Sequence, residues 1–194
     1  FEEAIYSMED YILERAGQTA WQLGRALPLL NNEAFKLKLK EAVKAEAIKV
    51  AEDAKESPFG VPYRPHIWGH GWTNQRFGVE QYFLHKAWPE VTQPDYFMNA
   101  LNFNLGVHPG DNTASFASGV GSNSVLVGYG LNRADWSYIP GGVVSGSALI
   151  RPDLPELKIW PYFWQQTEYV MGGGSTNFMF LVLYLLIRVI PLKN

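Results

Sequence analysis

Cysteine is absent from the 194 residues, which removes disulfides and thiolate metal sites and leaves the redox compartment unread. A basic excess is absent as well. Lys and Arg number 16 against 19 Asp and Glu, for a formal charge of −3, and no run of like charge marks a nucleic-acid tail, so nucleic acid is not an expected partner. The opening FEEAIYSMEDY has no initiator Met, basic leader or apolar signal segment, and reads as a processed or truncated start. Long apolar runs are also short of what a membrane needs. FMFLVLYLLI, from Phe178 to Ile187, is ten residues long and ends at Arg188, whereas a span takes about 20, so the run reads as a core helix buried on most faces. Sustained strand alternation, a fixed-period repeat and an HExxH pattern are all missing, and no catalytic metal is expected.

With 47% hydrophobic and 18% charged residues, the chain has the composition of one folded domain over 1–194. Helices are expected towards both ends. Residues 2 to 16 read as helical, and Asn32 to Glu56 as a long amphipathic helix with Asn32 at its cap. There Phe35, Leu39, Val43 and Ala47 or Ile48 form the apolar stripe. Ser57 to Gly71 breaks the pattern with Pro58, Pro62 and Pro65, and a helix follows from about Thr73 to Trp88, stopped by Pro89. The next helix is expected to be capped by Thr92, answered by Asp95, and to end at Gly106. From Val107 to about Trp160 glycine is frequent and lysine is lacking before Lys158, and such a long irregular segment is usually functional. The last helix is expected from about Ser175 to Arg188.

The chemistry is expected on the loops. Trp68, Trp72, Trp136, Trp160 and Trp164 lie in or beside them, with Tyr63, Tyr129, Tyr138 and Tyr162. Sugar rings present flat C–H faces that stack on aromatic rings, while their hydroxyls need charged or amide partners such as Arg64, Asn74, Asn132, Arg133 and Asp135. The same aromatics also suit pinning long loops to a helical core. His66 and His70 flank Trp68 at a spacing that could bind zinc on a helix, but their segment reads as a loop, and His70 fits better as a partner for a sugar hydroxyl. His85 reads as structural, and His108 opens the glycine-rich stretch. Asp111 and Asp135, among loop carbonyls, leave room for structural calcium. Most carboxylates fall on solvated helix faces. Glu168 is set in WPYFWQQTEYV, and an apolar setting keeps a carboxyl protonated near neutrality, as a general acid requires.

Four segments in order, PFGVPYRPHIWGHGWTN (58–74), ALNFNLGVHPGDNTASFASGVGSNS (100–124), PGGVVSG (140–146) and QQTEYVMGGGSTNFMFLVL (165–183), resemble the C-terminal half of glycoside hydrolase family 9. The resemblance implies an all-α (α/α)6 toroid, of which this chain supplies only part, and inverting hydrolysis of a β-linked glucan or related polysaccharide. It makes Glu168 the candidate acid. Tyr63, Arg64, Trp68, His70, Trp72, His108, Arg133, Trp136, Tyr138 and Trp164 become candidate substrate contacts. It also implies a secreted or periplasmic cellulase-like enzyme with no cofactor, whose partners are an oligo- or polysaccharide and the missing N-terminal half of the toroid. The chain departs from that pattern in two places. LVGYGLNRADWSY offers Arg133 where the family has a histidine- and arginine-bearing stretch, and the DAGD-like motif that supplies the Asp base is absent. Two other classes stay open: a non-catalytic carbohydrate-binding or structural fragment, and a polysaccharide lyase using Tyr138 with His108 or His70.

Overall fold

A computed structural model of the chain describes residues 1–62, 70–107, 114–121, 123–125, 128–129, 136–145 and 173–189. Helices dominate them. The stretch 2 to 16, expected to be helical, is so in two pieces, α1 (Glu2–Tyr6) and α2 (Glu9–Glu14), and α3 (Ala16–Leu23) follows. Two hydroxyls account for the breaks. Ser7 Oγ donates to the Ala4 carbonyl at 2.9 Å, and Thr19 Oγ1 lies within hydrogen-bonding distance of the carbonyls of both Ile12 and Arg15. The Ile12 carbonyl would otherwise accept the amide of Ala16 in a continuous helix.

Helix α4 (Glu33–Lys55) follows a short 3-10 turn at Leu27–Leu29 and starts as its sequence requires. Asn32 Oδ1 accepts the Phe35 amide at 3.0 Å, satisfying one of the orphan donors of the first turn. Phe35, Leu39 and Val43 are buried along its inner stripe, while Ile48 is 61% exposed and the half-buried Ala47 continues the buried face. With Ile12, Ala16, Ala20, Leu30, Leu84 and Trp88 these side chains form one apolar cluster.

Helix α5 (His70–Ala87) runs towards this cluster and pairs with α6 (Asp95–Asn104) as a helical hairpin, against which α7 (Gly173–Val189) packs. Gly78 marks where the three meet. A Cβ there would stand 2.8 Å from Ala100 Cβ and 2.8 Å from Leu181 Cδ1, so only the missing side chain allows the approach. Tyr82 is the aromatic centre of this packing, edge-on to Phe97, Phe180 and Tyr184 at centroid distances of 5.8, 5.1 and 4.6 Å.

The ends of α6 divide expectation from outcome. Thr92 does not cap the helix: Pro94 takes the cap position, and the buried Thr92 hydroxyl lies 3.5 Å from the Trp88 carbonyl and 3.4 Å from His85 Nδ1. At the other end Gly106, at φ 84°, closes a Schellman turn. Its amide donates to the Phe103 carbonyl and that of Val107 to Asn102, so the last carbonyls are satisfied.

Four short strands lie beyond α6, where the sequence showed no alternation: β1 (Ala114–Ser118), β2 (Asn123–Val125), β3 (Gly128–Tyr129) and β4 (Trp136–Ser137). β1 pairs with β2 in parallel, and β3 with β4 antiparallel. Pieces this short rest on backbone pairing and cannot express a period of two. Helix α7 departs from the expected buried core helix as well. Phe178 and Leu181 face inward, but Met179, Leu183, Leu186 and Ile187 are 45–65% exposed and make an outward apolar face. No helix among the described residues is long and apolar enough to cross a membrane.

Candidate functional site

The four sequence segments that carry the resemblance come together at one end of the α5–α6 hairpin. Helix α5 begins at His70, three residues earlier than expected, so His70 stands at a helix start and not within a loop. The next residue, Gly71, donates its amide to the Ser145 carbonyl at 2.8 Å. A Cβ on Gly71 would lie 2.7 Å from the Val144 carbonyl oxygen, so the glycine permits this backbone contact.

Residues 141–145 run beside β1. The amide of Val144 donates to the Phe116 carbonyl at 2.9 Å, that of Ser118 to Gly142 at 2.9 Å, and that of Gly141 to Ser118 at 2.8 Å. Ala117 and Val143 form an antiparallel bridge. PGGVVSG is therefore a strap between β1 on one side and the start of α5 on the other. Beneath it Phe59 and Val61 join Ala100, Phe103, Phe116 and Val144 in a buried cluster, with Phe59 and Phe103 edge-on at 5.1 Å. Phe178 and Leu181 of the fourth segment pack with Leu101, Ala117 and Val143 in the adjoining one.

Two of the expected substrate contacts have described side chains. Trp72 is half-buried and packs against the cluster that holds Phe178 and Leu181, and its Nε1 stands 3.1 Å from where a Cβ would project at Gly173. It therefore joins α5 to the start of α7, five residues after Glu168 in sequence. Tyr138 is 50% exposed, and its hydroxyl approaches Gly119, whose φ of 78° and missing side chain leave room for it. Trp136 belongs to β4, of which only the backbone path is described, as for His70 in α5. Tyr63, Arg64, Trp68, His108, Arg133, Trp164 and Glu168 lie outside the described residues, as do His66, Asp111 and Asp135.

Between 114 and 145 the described residues carry no charged side chain. Ser115, Ser118 and Ser145 are buried among them, and Tyr138 is the half-exposed side chain, its hydroxyl beside Gly119. Among the described residues no cluster of three or more His, Asp or Glu is placed to hold a metal ion. Sequence reasoning passed over Gly71 and Ser145, whose bond is central to the assembly. Its only trace in the sequence is a glycine after His70 and the paired glycines of PGGVVSG. No known family model matches the chain, and neither a curated protein nor a solved structure does.

Proposed function

We propose that the chain is part of an inverting glycoside hydrolase, an (α/α)6 toroid acting on a β-linked glucan or related polysaccharide, with Glu168 as general acid. The observation that carries this reading is the meeting of segments 58–74, 100–124, 140–146 and 165–183 at one end of a helical hairpin. Segments so far apart in sequence have no local reason to converge, and convergence at the loop end of stacked helices is what a cleft built from loops requires.

In this mechanism the Glu168 carboxyl protonates the glycosidic oxygen as the bond to the anomeric carbon breaks. Water attacks that carbon from the opposite face, activated by an Asp that this chain's motifs do not supply. The two carboxyls of an inverting pair stand about 6.5–9.5 Å apart, which leaves space for the water. Trp72, Tyr138 and the loop aromatics would hold the sugar rings by stacking.

Substitution of Glu168 by Gln in the complete enzyme tests the assignment, because it keeps size and much hydrogen bonding while removing the proton. Turnover of a β-1,4-gluco-oligosaccharide should fall about 10²- to 10⁴-fold with binding retained, and an aryl glycoside whose leaving group needs no protonation should recover much of the rate. Proton NMR of the first product should show the inverted anomer. Sugar binding without turnover in the complete enzyme, with the Asp-bearing half present, would favour the binding-module reading. An unsaturated product would favour the lyase and direct attention to Tyr138.

A further inference from the structure

We propose that Asn74, Gln75 and Asn104 form a site for internal water between α5 and α6, at the end of the hairpin where the strap attaches. The inference is independent of the proposed hydrolase activity. Gln75 and Asn104 are fully buried and Asn74 nearly so. Gln75 Nε2 donates to the Ala100 carbonyl at 2.6 Å. Its Oε1, both polar atoms of the Asn104 side chain and Asn74 Nδ2 have no hydrogen-bond partner among the described residues.

The backbone brings these groups together. Ala100 lies one helical turn before Asn104, and helical side chains lean towards the preceding turn, so the Asn104 amide leans over the turn where Gln75 ends. Asn74 precedes Gln75 on α5, its side chain leaving the helix about 100° around from that of Gln75. On one side the Gly78–Ala100 contact closes the helix interface, and on the other Gly71 meets Val144 and Ser145. Reassigning oxygen and nitrogen does not relieve the arrangement. Both Asn104 atoms are unpartnered either way round, and turning the Gln75 amide would set oxygen against the Ala100 carbonyl.

Four buried, unsatisfied amide atoms carry a desolvation cost large against the marginal stability of a domain. The set also identifies its guest. The unpartnered atoms are two donors, Asn74 Nδ2 and Asn104 Nδ2, and two acceptors, Gln75 Oε1 and Asn104 Oδ1. An anion would satisfy only donors and a metal ion only acceptors, whereas water serves both and is small enough for a fully buried place.

Water oxygen-17 relaxation dispersion on the unsubstituted protein tests this directly, together with water-to-amide cross-relaxation by NMR. At least one long-lived water should exchange magnetisation with the side-chain amide protons of Asn74 or Asn104. In Asn104→Leu and Gln75→Leu that contribution should be lost and the melting temperature should fall, although each change adds apolar volume. The proposal is overturned if the unsubstituted protein shows no long-lived water at these amides. It is equally overturned if high-resolution density gives them direct protein partners, or if the leucine variants melt higher, as relief of a dry orphaned pair would require. Because the first measurement uses the unsubstituted protein, a variant that does not fold leaves the test intact.

Discussion

The two ends of the α5–α6 hairpin are built on different principles. At the end near Trp88 the interior is aliphatic and aromatic, with Phe35, Leu39, Val43, Leu84 and Trp88 closing over Ala16 and Ala20. At the end near Gly71 an apolar cluster of Phe59, Val61, Phe103, Phe116 and Val144 is interleaved with buried carboxamides, serines and backbone groups, joined by single hydrogen bonds such as Gly71 to Ser145. The first arrangement is non-directional and stabilises by area removed from water. The second is directional and depends on particular partners, so it suits a place where side chains must be held in register for a ligand.

The comparison can be broken most severely in the apolar end. Leu39→Ala removes a side chain with no exposure and should destabilise by about 2–5 kcal/mol, read from chemical denaturation. A loss below about 1 kcal/mol would mean that the cluster is not the main source of stability. Gly78→Ala acts on the junction between the ends. Ala100 Cβ is fixed to its helix and cannot move away as the tip of Leu181 can, so a cost of about 1–3 kcal/mol is expected. Asn32→Ala should cost about 1 kcal/mol through the lost cap on α4, and Asn32→Ser should restore most of it.

The smallest effect concerns Glu80, whose side chain is 14% exposed and pairs with Arg76 at 2.8 Å. Burial raises its carboxyl pKa, and the Arg76 hydrogen bond and charge only partly oppose this. The folded state therefore binds the proton more readily than the unfolded chain. Its contribution to stability is fully present below the ordinary carboxylate pKa and is lost as pH rises through the raised folded value. Glu80→Gln should flatten that decline and be neutral or slightly stabilising at pH 7, measured as melting temperature against pH. A steeper decline in the variant would refute the assignment.

What could be read in advance follows the same division. Helix α4 was legible because its start and stripe are local: Asn32 caps, and Phe35, Leu39 and Val43 recur at helical spacing. Pro89 and Gly106 likewise announce their boundaries through backbone chemistry that no distant residue can override. The mostly helical class was legible for the same reason. The bond from Gly71 to Ser145 was not, since nothing near either residue specifies the other. The outward face of α7 was hidden for a different reason. An unbroken apolar run has no periodicity, and so does not tell which of its side chains turn inward. Thr92 misled because Pro94 takes the cap position, and the Thr92 hydroxyl turns to the Trp88 carbonyl instead. Of the candidate site, the meeting of the segments lies within the described residues, whereas Glu168 lies outside them.

Among the described residues, the apolar cluster beside Trp88 draws its side chains from the interval Ile5 to Val91. A ribosome delivers that interval before any residue of β1, the strap or α7 has been made. The nascent chain therefore carries a complete hydrophobic nucleus while the segments of the candidate cleft are still to come, and the later segments add to a surface that can already be in place. Vectorial synthesis thus favours the assembly of scaffold before site, in the order in which the residues are written.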